Sequence, residues 1–285
     1  MKRRHLFEWE DQAWLPVVFR NFITDHLRYF LTRKVRGPVN RAIAGHLKSV
    51  LIKTGGKQII DLCAGAGGPL LEVQRILSED MDEPVEVLLT DLYPNVEAFR
   101  RREVEGGGAI KARYDSISAF DVPLGLSGLR TLFTALHHFE PEGARQLLAD
   151  AAHKRQPIAV FELLERTPRM FILTGLFSLW QSFALTPVVG RLTLQRFLLT
   201  YVIPIAPAIF LWDGLVSVLR TYSPEELREM ADSVGAEDYD WEVGRIYVSG
   251  PCGVLLPTIF LIGCPQIAAP LGVDAVSPDE VGCAA

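Results

Sequence analysis

The chain has 285 residues, 49% of them hydrophobic, and a net charge of −5. That is enough apolar mass for one large domain, or one domain with an insertion, and it excludes a small stapled scaffold. It also provides no basic field to hold a nucleic-acid backbone, because the arginines are scattered. The four cysteines, Cys63, Cys252, Cys264 and Cys283, have no C-x-x-C spacing, so no metal site is expected. Met1-Lys-Arg-Arg4 runs into Phe7-Glu-Trp-Glu-Asp11 without an apolar stretch, so no secretory signal and a cytoplasmic location are expected.

Taken in order, Trp14 to Arg33 places Leu15, Val18, Phe19, Phe22, Ile23, Leu27, Phe30 and Leu31 mostly at three- and four-residue steps, which predicts an amphipathic helix. A second helix over Pro38 to Thr54 leads to Gly55-Gly56. These helices either pack on the core or contribute Trp14, Phe19 and Tyr29 to a pocket.

The next stretch, Gln58-Ile-Ile-Asp-Leu-Cys-Ala-Gly-Ala-Gly-Gly-Pro-Leu-Leu-Glu72, reads as a buried strand, a glycine-rich turn and a helix start. A dinucleotide fold needs a small third residue in G-x-G-x-x-G/A; here that position is Leu70. Asp61 at the strand end attracts a cationic ligand and suits a pyrophosphate poorly. The stretch resembles motif I, D-x-G-x-G-x-G, of the class I S-adenosylmethionine-dependent methyltransferases. Asp61, Gly65 and Gly67 match, and Cys63 stands where the first glycine usually is. The resemblance implies S-adenosylmethionine as cofactor, S-adenosylhomocysteine as product, and contacts from Asp61, Cys63, Ala64, Gly65 and Gly67.

Pro84 to Asn95 reads as a second strand ending at Asp91-Leu92, where a carboxylate can accept both ribose hydroxyls. A helix cap is the other reading of Asp91. The third strand, Ala109 to Tyr114, precedes Asp115-Ser116; similarity to the family's D-A-x-x-L-P segment implies that Asp115 takes the adenine amino group. Leu129 to Thr134 is a strand running into Leu136-His137-His138-Phe139, which is similar to motif IV of small-molecule methyltransferases. A fifth strand from Pro157 ends in Glu162 and Glu165, and Glu165-Arg166 reads as a surface or lid-anchoring ion pair. The expected fold class is therefore α/β, a Rossmann-like seven-stranded and mostly parallel sheet with helices on both faces. Tyr239 to Val248 and Val254 to Gly263 supply the last two strands, the final one antiparallel. In between, Ser223, Pro224 and Glu226 predict a capped helix start.

Between strand five and that helix, Met170 to Gly190 and Phe197 to Trp212 contain no charge. Gln181, Ser182 and Pro187 interrupt the first run, the second carries Pro204 and Pro207, and Arg191 and Arg196 separate the two. The expectation is an apolar helical cap inserted after strand five, with contact at the inner face of a membrane left open. The expected organisation is residues 1–54 as covering helices, 55–168 and 213–265 as the core, 169–212 as the insertion and 266–285 as a disordered tail.

Six polar residues, Asp61, Asp91, Asp115, His137, His138 and Glu162, fall at strand ends. The resulting reading is a methyltransferase acting on a small hydrophobic or lipid-like acceptor by in-line displacement. His138 is the first candidate base and His137 the second, with Glu162 and Asp213 orienting the acceptor. His137 and His138 could equally shape the cofactor pocket. Two rival readings are a membrane-associated binding protein that has lost transfer, and an aminopropyl transferase, whose polyamine substrate an apolar lid does not suit. Neither the acceptor atom nor the oligomeric state is legible.

Overall fold

Ile59 and Ile60 are adjacent, fully buried, and belong to two different apolar clusters, as the two faces of one strand require. A strand apolar on both sides belongs in the middle of a covered sheet. In a computed structural model describing residues 1–12, 14–32, 37–81, 83–249 and 255–266, that strand is β1 (Gln58–Asp61), with parallel neighbours on both sides. On one side lie β2 (Glu86–Leu89) and β3 (Ile110–Ala112); on the other, β4 (Leu129–Phe133) and β5 (Ile158–Glu162). The sheet is completed by β6 (Tyr239–Ser249) and β7 (Leu255–Pro265), in the order β3-β2-β1-β4-β5-β7-β6. Only β7 runs against its neighbours, pairing antiparallel with both β5 and β6. This is the α/β, seven-stranded, mostly parallel sheet expected from the sequence.

Strand order reverses between β1 and β4, and in open α/β sheets the crevice beyond the carboxyl ends at such a reversal is where ligands bind. Two helices near the amino terminus, α1 (Val17–Thr32) and α2 (Gly37–Thr54), behave differently. Helix α2 buries Ile43, Leu47 and Leu51 in the cluster that also holds Ile59 and Val87. Helix α1 instead packs Phe22 and Ile23 on Ala206, Ile209 and Phe210 of the insertion. The connecting helices are α3 (Leu70–Asp80), α4 (Val96–Glu105) and α5 (Pro141–His153).

After β5 the chain forms α6 (Pro168–Leu185), a short α7 (Leu194–Phe197), a π-helical turn at Leu198–Val202, and α8 (Ile205–Arg220). Helix α8 runs on past Trp212, so the end of the apolar run is not the end of an element. Its last two turns carry polar residues back to the strand ends. Helix α9 (Pro224–Ser233) begins with the expected capping box, Ser223 and Glu226 each bonding the other's backbone amide. Glu165 and Arg166 do not pair with each other. Arg166 bonds Glu226 at 2.6 Å and Glu165 bonds Arg245 at 2.9 Å, so these neighbours in sequence tie the end of β5 to two different elements. The tail expected to be disordered lies, beyond Gln266, outside the described residues.

Candidate functional site

The turn after β1 adopts the left-handed backbone at four positions, with φ of +55° at Cys63, +52° at Gly65, +87° at Gly67 and +39° at Gly68. Glycine takes these angles freely; a cysteine does so at a cost of roughly 1–2 kcal/mol. Behind the turn, Arg102 from α4 donates from Nε to the Ala66 carbonyl at 2.9 Å, and its side chain occupies the space where a Cβ on Gly67 would lie. In front of Gly65, nothing lies within 4 Å of where a Cβ would be, so the turn is braced on one side and open on the other. Ala64 donates its amide to the Thr90 carbonyl, which ties the turn to the end of β2.

Around this turn the strand-end acids are fixed by hydrogen bonds. Asp61 is buried and accepts from the Thr131 hydroxyl of β4 at 2.7 Å. Burial pushes its carboxyl up to about 7; the Thr131 bond opposes the shift and the nearby Asp91 charge adds to it. Asp91 accepts from the Gly65 amide at 2.9 Å and from the Tyr93 amide at 2.8 Å, one on each oxygen. Each carboxylate oxygen keeps a further lone pair for a ligand hydroxyl. Leu92 is exposed, and its carbonyl accepts from the Ser116 hydroxyl at 2.6 Å, while the Ile117 amide reaches the Asp91 carbonyl. Asp61, Cys63, Ala64, Gly65, Gly67, Asp91, Leu92 and Ser116 therefore form one connected rim. Asp115 is different. Its exposed carboxylate is held by a bidentate bond from Arg113, at 2.7 and 2.6 Å.

The Cys63 thiol is pushed up to about 12 by burial first and by the Asp91 and Asp61 charges second, so it is a protonated, unreactive wall of the turn.

A second group of residues lies at the end of β4. The 3₁₀ turn Leu136–His138 places His137 over buried Glu162. Glu162 accepts the His137 amide at 3.1 Å and pairs with its Nδ1 at 2.8 Å. That pair of bonds fixes the orientation of the His137 ring. His138 Nδ1 lies 2.9 Å from Asp11 and 3.4 Å from Glu8. Burial opposes the charged imidazole, but the Asp11 bond and the Glu8, Asp11 and Glu10 charges more than offset it, raising His138 to about 9. At neutral pH His138 is thus the cationic partner of the acids and no free base.

Those acids come from a segment that sequence reasoning missed. Residues 3–11 form a strap along α8 that ends in a turn, where the Gln12 amide donates to the Trp9 carbonyl. Arg3 donates to the Arg220 and Phe139 carbonyls and lies over the Tyr222 ring at 4.0 Å. Asp213 is buried and accepts the Trp9 amide at 2.7 Å and the Glu10 amide at 3.1 Å. Burial raises its carboxyl to about 7 against the pull of those two amides. Arg220 bonds Asp11 at 2.7 Å, and Trp212 Nε1 donates to the Phe7 carbonyl. Asp213 therefore anchors the strap, and the strap anchors His138. No periodicity in residues 1–12 announces this, since a segment with no helix or strand of its own has none.

Glu8, His137 and His138 each bring one ligand-capable atom within 4.8 Å of the others. Glu8 also lies 3.4 Å from Arg220, so this cluster is part of an ion-pair network that already contains a cation. In the insertion Phe177, Trp180 and Phe183 are exposed, and Phe171 is half-buried.

No family model and no curated protein sequence matches the chain. Among solved structures it is similar to an O-methyltransferase family protein from Burkholderia thailandensis, with a TM-score of 0.47 and 14% identity over 82% of this chain and 58% of that one. It is also similar to the methyltransferase domain of bacterial CtHen1-C, with a TM-score of 0.47 and 14% identity over 80% of this chain and 99% of that one. A third similar structure is PigF with SAH, again at 0.47 and 14%, over 90% of this chain and 63% of that one. The chain spans less than two thirds of the first and third of these proteins.

Proposed function

We propose that the chain is an S-adenosylmethionine-dependent methyltransferase acting on a small hydrophobic or lipid-like acceptor. One observation carries this reading: at the strand-order reversal, a braced glycine turn lies between two acids, Asp61 buried behind it and Asp91 bonded to its Gly65 amide. Buried Asp61 suits the cationic end of a sulfonium amino acid. Asp91 suits a ribose diol. A pyrophosphate would meet two carboxylates there, which disfavours a dinucleotide. The similar structures include one with S-adenosylhomocysteine bound, in keeping with this cofactor.

For the transfer step the chain must align the acceptor, exclude water and remove a proton where the acceptor is acidic. His137, oriented by Glu162, is the candidate proton acceptor. His138, cationic and held by Asp11, orients an anionic or hydroxyl acceptor. Asp213 acts through the strap, as a positioning residue. The two charge-free runs of the insertion offer apolar surface for the acceptor.

The test is a thermal-shift comparison of S-adenosylmethionine with NAD, followed by S-adenosylhomocysteine release in the presence of apolar phenols and amphiphiles. The reading expects stabilisation by the first ligand alone and acceptor-dependent product. Cofactor binding with no release under any acceptor would favour a binding protein that retains the fold. Stabilisation by NAD alone would overturn the reading.

A further inference from the structure

Helix α6 is inside out. Its buried residues include Ser178, Gln181 and Ser182, with Gln181 at 1% and Ser182 at 0% exposure, while Leu176 is 63% and Trp180 56% exposed. Ile172, Leu176, Trp180 and Phe183 recur at three- and four-residue steps on the outward side. A helix of a water-soluble core has the opposite arrangement.

The inward side is built from small and polar contacts. Gly214 of α8 approaches so closely that a Cβ on it would meet Ser178 Oγ at 2.9 Å, and Gly175 lies against Leu215 and Leu211. Gln181 donates to the His26 carbonyl at 2.9 Å. Close approach through small residues, polar groups bonded between helices and aliphatic side chains outward is how helices associate in lipid.

The outward surface continues through Val188, Leu192, Leu194, Phe197, Val202 and Ile203, all exposed. From residue 168 to 212 there is no Asp, Glu, Lys or His, and the only charges are Arg169, Arg191 and Arg196. Arg196 is buried against Asp25, whereas Arg169 and Arg191 are exposed. No single described helix is long and apolar enough to cross a membrane, and the Leu194–Val202 and Ile205–Arg220 pair bends by 69°.

From this polarity we infer that the insertion embeds its outward face in one leaflet of a lipid bilayer, with Arg169 and Arg191 at the headgroup level, as a monotopic and non-spanning anchor. An apolar face of this extent needs a cover. Lipid fits it better than a second copy because the face is uncharged with arginines at its margin, matching acyl chains beside anionic headgroups and lacking the acids a self-complementary interface would need to pair them. The inference is independent of the cofactor reading.

The test is flotation of the full chain with vesicles of phosphatidylcholine and phosphatidylglycerol, washed in high salt. The comparison is the triple variant Leu176→Glu, Trp180→Glu, Val202→Glu, which alters only exposed side chains. Wild type is expected to float and stay bound through the wash, and the variant to partition about tenfold or more weaker with an unchanged circular dichroism spectrum and melting profile. Complete release by salt would show a purely electrostatic contact and overturn the inference. So would a wild type that ignores vesicles and sediments as a dimer that the variant turns into a monomer. If the triple variant does not fold, Leu176→Glu alone, expected to weaken flotation in the same direction, decides.

Discussion

Asp11 and His138 lie 127 residues apart in sequence and share a 2.9 Å hydrogen bond at the end of β4. This contact joins the amino-terminal strap to the site and fixes the charge on the histidine. The folded pKa of His138 is raised to about 9 from 6.5, so its contribution to stability is complete below about pH 6.5 and is lost as pH rises through 9. Burial opposes ionisation of Asp11, but His138 and Arg220 hold it down to about 2, so its contribution is present above about pH 4 and lost as pH falls through 2. Asp11→Asn should move the His138 titration back toward its ordinary value, read from the imidazole proton shifts. A His138 titration unaffected by that change would remove the strap from the account.

Asp61 titrates in the opposite sense to Asp11. Between about pH 4 and 7 the folded chain retains a proton that the unfolded chain has released, so stability should fall as pH rises through that window. A cationic ligand that pairs with the ionised carboxylate should bind more tightly as pH rises toward 7 and should release a proton below it. Calorimetry in buffers of different ionisation enthalpy measures that release. Asp61→Asn should abolish both the slope and the proton.

Cys63 has φ of +55°, an angle that glycine adopts without strain. Cys63→Gly should relieve roughly 1–2 kcal/mol of backbone cost and lose a similar amount in packing and chain entropy, leaving the midpoint of urea unfolding nearly unchanged. Cys63→Val should destabilise by about 2 kcal/mol or more, because a branched Cβ does not tolerate that conformation. The wild-type thiol, at about 12, should resist alkylation at pH 8 in the native state.

The core beneath the site contains a buried ion pair, Arg130–Asp150 at 2.7 Å, with Arg130 Nε and Nη2 left without partners. Asp150→Ala should cost about 3–5 kcal/mol, since it strands a buried guanidinium, and the double change Arg130→Met, Asp150→Leu should cost less than the single one. Equal losses would mean that Asp150 acts mainly through Lys154 and the Val122 amide, its other partners.

How far the sequence carries depends on the kind of signal. Ile59 to Gly68 announced strand, turn and helix because burial on both faces and a run of glycines are local properties. The strand-end acids Asp61 and Asp91 were legible for the same reason. Asp115 was legible as a position, yet its bidentate bond to Arg113 is a choice of rotamer that no spacing encodes. The strap was invisible: Glu8, Trp9 and Asp11 meet Arg220, Asp213 and His138 across more than a hundred residues, and only the tertiary fold brings them together. The two charge-free runs of the insertion were obvious in composition, but the exposure of Trp180 and the burial of Gln181 required coordinates.

The central claim is that the Gly65 turn and its acids hold S-adenosylmethionine. Calorimetric titration of that ligand into wild type and Asp91→Ala, with Asp115→Ala as a comparison on the exposed Arg113-paired acid, tests it most directly. The account predicts measurable binding to wild type and a loss of about tenfold or more for Asp91→Ala, the roughly 1.5–3 kcal/mol of a hydrogen bond to a charged group. Equal affinity in wild type and Asp91→Ala, or no binding to wild type at all, would contradict it.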